Sequence, residues 1–339
     1  MKVGISLSRR RFIRQSGVAL AMLNLPLHLI KFSNYNKTMK SKSFEVIIIG
    51  GSYSGLASGM ALGRALRQVL IIDSSNPCNR QTPYSHNFLT HDGDTPKQIT
   101  NLAKQQVAKY TTISFFDDMV TGAAKVDNGF EVMVASGETF YAKRLIFATG
   151  IRDIMPDIDG FTECWGISAL HCPYCHGYEM TSQKTGILSN GEFGFDLSRL
   201  ISNWTKDLTL FTNGVSTLTA VQLRKLKEHR IDIVEKEVER LEHTDGNVQN
   251  IIFKDGTKYA VKAIYSPRPF VQHCKIPEAL GCELTDDGYI RIDTFHKTTI
   301  DGVFSCGDNV TRMRTVANAV AMGTTTGMMV NKEIITEDF

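Results

Sequence analysis

A strand, a glycine-rich turn, a helix and a second strand follow one another in FEVIIIGGSYSGLASGMALGRALRQVLIID, residues 44–73. The apolar run before the turn is typical of a strand buried on both faces of a parallel sheet. Gly50 and Gly55 keep two of the three glycines of the dinucleotide-binding fingerprint, and Ser52 replaces the middle one. Asp73 closes the second strand at about the 20-residue spacing expected of a carboxylate that binds an adenosine ribose. The segment therefore predicts a nucleotide-binding fold.

The plan of that segment recurs in the second half of the chain. Residues 185–214 again run strand, turn, helix and strand. Ser189 stands at the first glycine position of this second turn, whereas Gly191 and Gly194 keep the other two. The recurrence predicts a second nucleotide-binding unit, with a degraded glycine turn.

A hairpin and an apolar strand come after each unit. The first hairpin occupies 129–150 with a Ser-Gly turn at 136–137, and the second occupies 247–269 with an Asp-Gly turn at 255–256. Strands that alternate with helical segments are typical of parallel α/β sheets. The chain is therefore predicted to be an α/β protein with two Rossmann-like, doubly wound nucleotide-binding domains.

The composition excludes several classes of partner. With 42% hydrophobic and 22% charged residues, the 339-residue chain has the composition of a globular protein. The net charge of +3 is small and the Lys and Arg residues are scattered, so no nucleic-acid partner is predicted. The seven cysteines are too few and too spread for a disulfide scaffold, and only Cys172 and Cys175 are close together.

The amino terminus contains a basic segment followed by an apolar one. Residues 8–17, SRRRFIRQSG, resemble a twin-arginine export signal, which would make residues 1–38 a signal segment. Pro26 and His28 interrupt the apolar run, so stable membrane insertion is not predicted. The alternative is a non-native extension from an upstream start codon, with a cytoplasmic protein that begins at Met39.

The segment ALHCPYCHGYE contains Cys172, Cys175 and His176 in the order C-x-x-C-H. This pattern occurs in c-type haem attachment, in zinc sites and in thiol–disulfide exchange. A zinc site needs a second pair at ligand spacing, and Cys164 with His171 is a poor match, so no metal site is predicted. Two nucleotide folds supply neither axial ligands nor a pocket for haem. Thiol–disulfide exchange is the favoured interpretation.

The paired nucleotide units and the late segment GVFSCGDN resemble the flavin-dependent pyridine nucleotide-disulfide oxidoreductases, specifically the low-molecular-weight thioredoxin reductase branch. The resemblance runs from Phe44 to the carboxyl end and includes the glycine turn, Ala-Thr-Gly at 148–150 and the C-x-x-C pair. It implies a homodimer and an FAD-binding domain made of residues 44–157 and 268–335. An NAD(P)-type domain that carries the redox pair, residues 158–267, would be inserted between them.

The same resemblance implies roles for individual residues. Asp308 would hydrogen-bond the ribityl chain of FAD, and the backbone at Val316 would approach the isoalloxazine ring. Gly191 and Gly194 would contact a nicotinamide nucleotide. The residues predicted to bind FAD are Gly50, Gly51, Ser52, Ser54, Gly55, Asp73, Ser74, Gln81, Asn87, Gly150, Gly307, Asp308 and Val316.

Three residues are predicted to be catalytic. The resemblance implies that Cys175 faces the flavin and that Cys172 exchanges with the substrate. Their spacing at the start of a helix would let both sulfurs reach bonding geometry and would stabilise a thiolate. The imidazole of His176 titrates near neutral pH, so it is predicted to move protons to and from the thiolates. A histidine that only caps the local turn is the alternative.

The loop after DLTLF departs from the family pattern. Thioredoxin reductases that use NADPH have an arginine-rich H-R-R-D-x-x-R run there, whereas this chain has TNGVSTLTA. From Phe211 to Leu223 the sequence contains no cation for a 2′-phosphate and no carboxylate for an NAD ribose. Together with Ser189, this loop argues against NAD(P)H as a cofactor, although the fold implies a site for it.

These features predict an FAD-dependent thiol–disulfide oxidoreductase. The favoured function passes electrons from a nicotinamide through FAD and the C-x-x-C disulfide to a thioredoxin-like protein or a small disulfide. The alternative is a dithiol oxidase with oxygen as acceptor, similar to the gliotoxin-type oxidases, which share this fold and a C-x-x-C-[HD]-G-Y-E-like segment. A flavin-binding protein whose cysteine pair only senses redox state is a third hypothesis.

Overall fold

The computed structural model describes residues 42–339. The predicted export signal and the alternative start at Met39 lie outside these residues, and both stay predictions. Within the described range, no helix is both long enough and apolar enough to cross a membrane.

The chain forms an outer lobe from two stretches and an inserted lobe between them. The first stretch of the outer lobe contains β1 (Ser43–Ile49), α1 (Tyr53–Arg64), β2 (Val69–Asp73), α2 (Pro96–Val107), β3 (Ile113–Asp117), β4 (Val120–Val126), β5 (Gly129–Val134), β6 (Thr139–Phe147) and β7 (Ile151–Asp153). The inserted lobe contains α3 (Phe161–Cys164), β8 (Ala169–Leu170), α4 (Pro173–His176), β9 (Thr185–Leu188), α5 (Gly191–Ile201), β10 (Leu208–Phe211), α6 (Ala220–Glu228), β11 (Asp232–Val234), β12 (Val238–Thr244), β13 (Asn247–Phe253), β14 (Lys258–Ala260) and β15 (Ala263–Tyr265). The second stretch of the outer lobe contains β16 (Phe270–Gln272), α7 (Ile276–Ala279), β17 (Val303–Ser305) and α8 (Val316–Asp338).

A parallel sheet in the order β3-β2-β1-β6-β17 forms the outer lobe. The central strand β1 is apolar, and its residues 46–48 have no exposed surface, as predicted for a strand buried on both faces. The first half of β6 pairs antiparallel with β5, and β5 pairs antiparallel with β4. The predicted hairpin at 136–137 is therefore confirmed.

The inserted lobe repeats this plan. Its parallel sheet has the order β11-β10-β9-β15-β8. The segment between β11 and β15 forms a separate antiparallel sheet in the order β12-β13-β14. The predicted turn at 255–256 joins β13 to β14. The prediction of two Rossmann-like α/β units is therefore confirmed. Strands β7 and β16 pair antiparallel where the chain enters and leaves the inserted lobe. The predicted domain limits at 157/158 and 267/268 stay predictions.

Helix α8 packs against α1 through two glycines. A Cβ atom added at Gly323 would lie 2.1 Å from the backbone oxygen of Ser54, and one added at Gly327 would lie 2.7 Å from that of Ser58. The Ser58 hydroxyl donates to the Gly323 carbonyl at 2.8 Å. Because the two backbones touch, the carboxyl-terminal helix fixes the position at which α1 begins.

Candidate active site

The first glycine turn lies where the carboxyl ends of β1 and β6 meet. Gly50 has a φ of +104°, and a Cβ atom added there would lie 2.3 Å from the Ala148 carbonyl oxygen. A Cβ atom added at Gly55 would lie 1.9 Å from the carbonyl oxygen of Gly50. Both positions therefore require glycine, one for its backbone conformation and the other for the close contact of helix and strand.

The amino end of α1 is open to an anion. Within the described part of the chain, no side chain caps this helix, because the Ser52 hydroxyl makes no capping hydrogen bond. The Gly51 amide instead donates to Asp73 Oδ1 at 3.0 Å, which holds that carboxylate beside the turn. Amides in an uncapped first turn bind phosphate groups well. The arrangement fits the pyrophosphate and ribose of FAD.

Gly307 and Asp308 follow β17 and complete this edge of the outer sheet. Gly307 has a φ of +88°, and a Cβ atom added there would lie 2.6 Å from the Ser54 hydroxyl. Burial raises the pKa of Asp308 to about 6, although Arg314 opposes this shift. The Asn309 amide braces the same edge by donating to the Phe147 carbonyl at 3.0 Å. Most residues predicted to bind FAD therefore meet at this edge.

An ion pair that the sequence did not predict holds the loop before α8. Arg314 makes two hydrogen bonds of 2.8 Å to the Asp153 carboxylate, and its Nε lies 3.7 Å from Asp308 Oδ2. Both members of the Arg314–Asp153 pair are nearly buried. The pair ties β7 to the loop that follows Asp308, and so fixes the carboxylate predicted to face the ribityl chain.

The remaining predicted FAD residues surround the same region less closely. Gln81 packs against Gly166 of the inserted lobe, and its Oε1 is buried without a hydrogen-bond partner among residues 42–339. Such an orphaned acceptor fits a bound cofactor. Asn87 is exposed, and its backbone amide donates to Asp92 Oδ1 at 2.7 Å. Ser74 is exposed after β2, Gly150 has a φ of +64°, and Val316 begins α8.

The C-x-x-C segment forms a tight redox turn. A disulfide joins Cys172 to Cys175, with the Cα atoms 5.3 Å apart, and the Cys175 amide donates to Cys172 Sγ at 3.1 Å. The helix predicted at this segment is the single turn α4, which begins directly after Cys172. Stabilisation of a thiolate at its amino end stays a prediction. Gly177 lets the turn pack on Trp204, because an added Cβ atom would lie 2.8 Å from the indole.

Two residues that the sequence did not predict surround His176. The ring of His86, from the outer lobe, lies edge-on to His176 with centroids 6.4 Å apart. His86 Nε2 lies 3.5 Å from Glu179 Oε1. Burial lowers the pKa of His176, His86 lowers it further, and Glu179 opposes the shift. The lowered pKa favours the neutral imidazole of His176, which is the form that accepts a proton.

Glu179→Gln is expected to move the acid limb of the pH–rate profile to lower pH. The negative charge of Glu179 favours protonated His176, so removing it lowers the pKa of that imidazole further. Turnover of a dithiol measured from pH 5 to pH 9 checks this. Glu283→Gln is the control, because Glu283 pairs with Arg291 at the surface. A limb that moves to higher pH would contradict the assignment.

The zinc interpretation of C-x-x-C-H finds no support in the described residues. Among them, no group of three or more His, Cys, Asp and Glu side chains is placed to hold a metal ion. Cys164 is buried, and His171 packs its ring against Trp165 at 5.9 Å. Burial, reinforced by Arg314, lowers the pKa of His171 to about 3.

The second glycine turn is hydrogen-bonded to the loop that follows β10. Helix α5 begins at Gly191, and the Asn190 side-chain oxygen accepts from the amides of Gly191 at 2.8 Å and Thr217 at 2.9 Å. The Asn190 amide donates to the Val215 carbonyl at 2.9 Å. Gly194 packs against β10 and the Ser189 backbone. The loop that should face a nicotinamide nucleotide is therefore bound to the amino end of α5.

Comparison with known proteins agrees with this architecture. The family model of the pyridine nucleotide-disulphide oxidoreductases matches residues 44–323. Thioredoxin reductase aclD of Aspergillus oryzae is 30% identical, over 80% of this chain and 90% of that protein. Thioredoxin reductase tcpT of Claviceps purpurea is 29% identical, over 88% of this chain and 96% of that protein.

Two solved structures are similar over nearly their whole length. An oxidoreductase from Agrobacterium tumefaciens superposes with a TM-score of 0.81 and 32% identity, over 87% of this chain and 99% of that one. A putative thioredoxin reductase, TrxB, from Bacillus anthracis superposes with a TM-score of 0.84 and 27% identity, over 87% of this chain and 100% of that one. The chain therefore belongs to the pyridine nucleotide-disulphide oxidoreductases, as an FAD-dependent enzyme of the thioredoxin reductase-like type.

Proposed function

We propose that this enzyme oxidises a dithiol to a disulfide and that oxygen, rather than a nicotinamide, is its second substrate. The observation that supports this most strongly is the Asn190 cap on α5, which occupies the Gly191 amide at the amino end of the helix and holds the Thr217 amide of the following loop against it. In the reductase alternative, electrons enter at this position. In the oxidase they enter at the redox turn.

The helices that follow the two glycine turns differ in their side-chain caps, and this difference supports the proposal. Helix α1 has no side-chain cap within the described residues, whereas Asn190 caps α5 and holds the loop to Thr217. Glu192, in the first turn of α5, accepts from Gln222 at 2.6 Å, so this turn also carries a negative charge, which disfavours a bound phosphate group. Each hydrogen bond that a nucleotide must break costs about 0.5–1.5 kcal/mol, or roughly two- to tenfold in affinity.

The chemistry needs two exchange steps at the redox turn. A substrate thiolate attacks Cys172, which forms a mixed disulfide and releases Cys175 as a thiolate. The second substrate thiol then attacks the mixed disulfide, which releases the substrate disulfide and leaves Cys172 and Cys175 reduced. His176 accepts a thiol proton in this sequence. FAD, held by the first glycine turn and Asp308, would supply the redox chemistry between the reduced turn and oxygen, so that dithiol and oxygen would give disulfide and hydrogen peroxide.

Aerobic turnover with dithiothreitol tests the proposal. We expect one hydrogen peroxide for each dithiothreitol oxidised, and no change in rate when NADPH is added. Cys175→Ser is the control for oxidation by free flavin. No oxygen uptake with dithiothreitol, together with NADPH oxidation in the presence of cystine, would contradict the proposal.

Reduction of a thioredoxin-like protein or a small disulfide is the second candidate. It is favoured by the names of relatives that match most of the chain, such as thioredoxin reductase tcpT. The predicted homodimer is common to both functions. The homodimer stays a prediction, and a measurement of the molecular mass in solution tests it.

Asn190→Ala is expected to destabilise the inserted lobe. Loss of an N-cap costs about 0.5–2 kcal/mol in the free energy of unfolding. The only two tryptophans, Trp165 and Trp204, lie in the inserted lobe, so tryptophan fluorescence during urea denaturation reports its unfolding. Exposed Asn203→Ala is the control. Equal stability of the Asn190 variant and the wild type would show that the cap does not hold the loop.

A further inference from the structure

We propose that His86 transfers protons between His176 and solvent, with Asp92 at the outer end of the path. This inference rests on the proposed function, in which His176 accepts a thiol proton. A dithiol that becomes a disulfide gives up two electrons and two protons, and oxygen takes up two protons when it becomes hydrogen peroxide. Cys175 and then Cys172 leave the exchange as thiolates, and His176 holds one proton at a time, so a path to solvent lets it release the first proton before it accepts the second.

His86 lies in a row of neighbouring groups that bind protons. Its ring lies edge-on to His176, with the two ring planes at 89° and the centroids 6.4 Å apart. On the other side, His86 Nδ1 lies 3.7 Å from Asp92 Oδ1. His86 Nε2 lies 3.5 Å from Glu179 Oε1. The ring is therefore flanked by a histidine of the redox segment and by a carboxylate near each of its two nitrogens.

The row ends at the surface. His176 and His86 are both partly buried, with 20% of the His86 side chain exposed, whereas the side chain of Asp92 is 68% exposed. A proton that leaves His86 for Asp92 therefore moves towards water. Glu179, from the redox segment, and Asp92, from the loop of His86, are the carboxylates that attract it.

The loop that contains His86 is braced so that the ring keeps its place. The Ser85 amide donates to the Asp94 carbonyl at 2.8 Å, and the Gly93 amide donates to the Ser85 carbonyl at 2.9 Å. His91 Nδ1 pairs with Asp94 Oδ2 at 2.8 Å. His91 thus supports the same loop without contacting the redox segment in any of these interactions, which makes it a matched control for His86.

His86 acts through His176 and is a positioning residue for proton transfer. We expect His86→Gln, which keeps an amide near Glu179 but cannot transfer a proton, to lower kcat for dithiothreitol by about tenfold or more. Its FAD content and melting temperature should match those of the wild type. His91→Gln should change kcat by less than about twofold. Imidazole added to His86→Ala should restore much of the lost kcat, because it supplies the missing base from solution.

The pH profile separates proton transfer from a structural role. The acid limb of the kcat profile should change shape in His86→Gln and not in His91→Gln. Equal kcat in His86→Gln and the wild type would overturn the proposal. So would the same loss in both glutamine variants, or the absence of any response of His86→Ala to imidazole.

Failure of the dithiol oxidase proposal would be recognised separately. In that case wild-type FAD is reduced by NADPH and not by dithiothreitol. The His86 and His91 variants are then compared in NADPH-driven reduction of cystine, where protons must reach the sulfurs along the same row. A loss confined to the His86 variants would support the proton path, and no loss would overturn it.

Discussion

Replacing either Cys172 or Cys175 by serine is expected to abolish dithiol turnover, with a loss on the order of 10⁴-fold or more. Each exchange step needs both sulfurs, because one forms the mixed disulfide and the other is released as a thiolate. FAD should remain bound at the wild-type ratio, since the glycine turn and Asp308 belong to the outer lobe. The measurements are oxygen uptake with dithiothreitol and the flavin-to-protein absorbance ratio.

Cys274→Ser is the matched control for those variants. Cys274 is half-buried and has a free thiol outside the redox turn. Its replacement should change turnover by less than about twofold. Wild-type activity in Cys172→Ser or Cys175→Ser would show that the pair is structural, and loss of FAD in either variant would show that the redox turn supports the cofactor site.

Gly55→Ala is expected to yield protein without FAD. The new Cβ atom would lie 1.9 Å from the Gly50 carbonyl oxygen, and that atom belongs to the backbone of the turn itself. The clash must push α1 away from β1, so the first-turn amides no longer meet the pyrophosphate. We expect the flavin-to-protein ratio after purification to fall at least about tenfold, with circular dichroism showing whether the sheets persist.

Gly59→Ala is the control in the same helix. Its added Cβ atom would lie 2.6 Å from the end of the Ile71 side chain, and its nearest neighbours are side-chain atoms of Ile71 and Val107 rather than backbone. Alanine also has a helix propensity about 1 kcal/mol better than glycine, which offsets part of that contact. The Gly59 variant should retain FAD. Full FAD content in Gly55→Ala would contradict the placement of the cofactor at this turn.

The elements that the sequence predicted well are those specified by neighbouring residues. The apolar run before Gly50 predicted a strand buried on both faces, and β1 is such a strand. The Ser-Gly turn at 136–137 and the Asp-Gly turn at 255–256 predicted two hairpins, and both are present. Turn chemistry and apolar periodicity act over a few residues, so they can be recognised in one sequence.

The contacts that complete the site join residues far apart in the chain. Arg314 and Asp153 are 161 residues apart, and His86 meets Glu179 only because the two lobes pack together. No local pattern specifies such pairs. Part of the Asn190 cap could have been predicted from the sequence, because asparagine before a helix is a common N-cap. Its second partner, Thr217, lies 27 residues away and depends on the path of the loop.

Anaerobic stopped-flow mixing tests the central claim most directly. The FAD-loaded protein is mixed in separate experiments with dithiothreitol and with NADPH, and the visible flavin band is followed. The account predicts rapid loss of the band with dithiothreitol, its return with peroxide release when air is admitted, and no loss within the same time with NADPH. Rapid loss of the band with micromolar NADPH, and none with dithiothreitol, would contradict it.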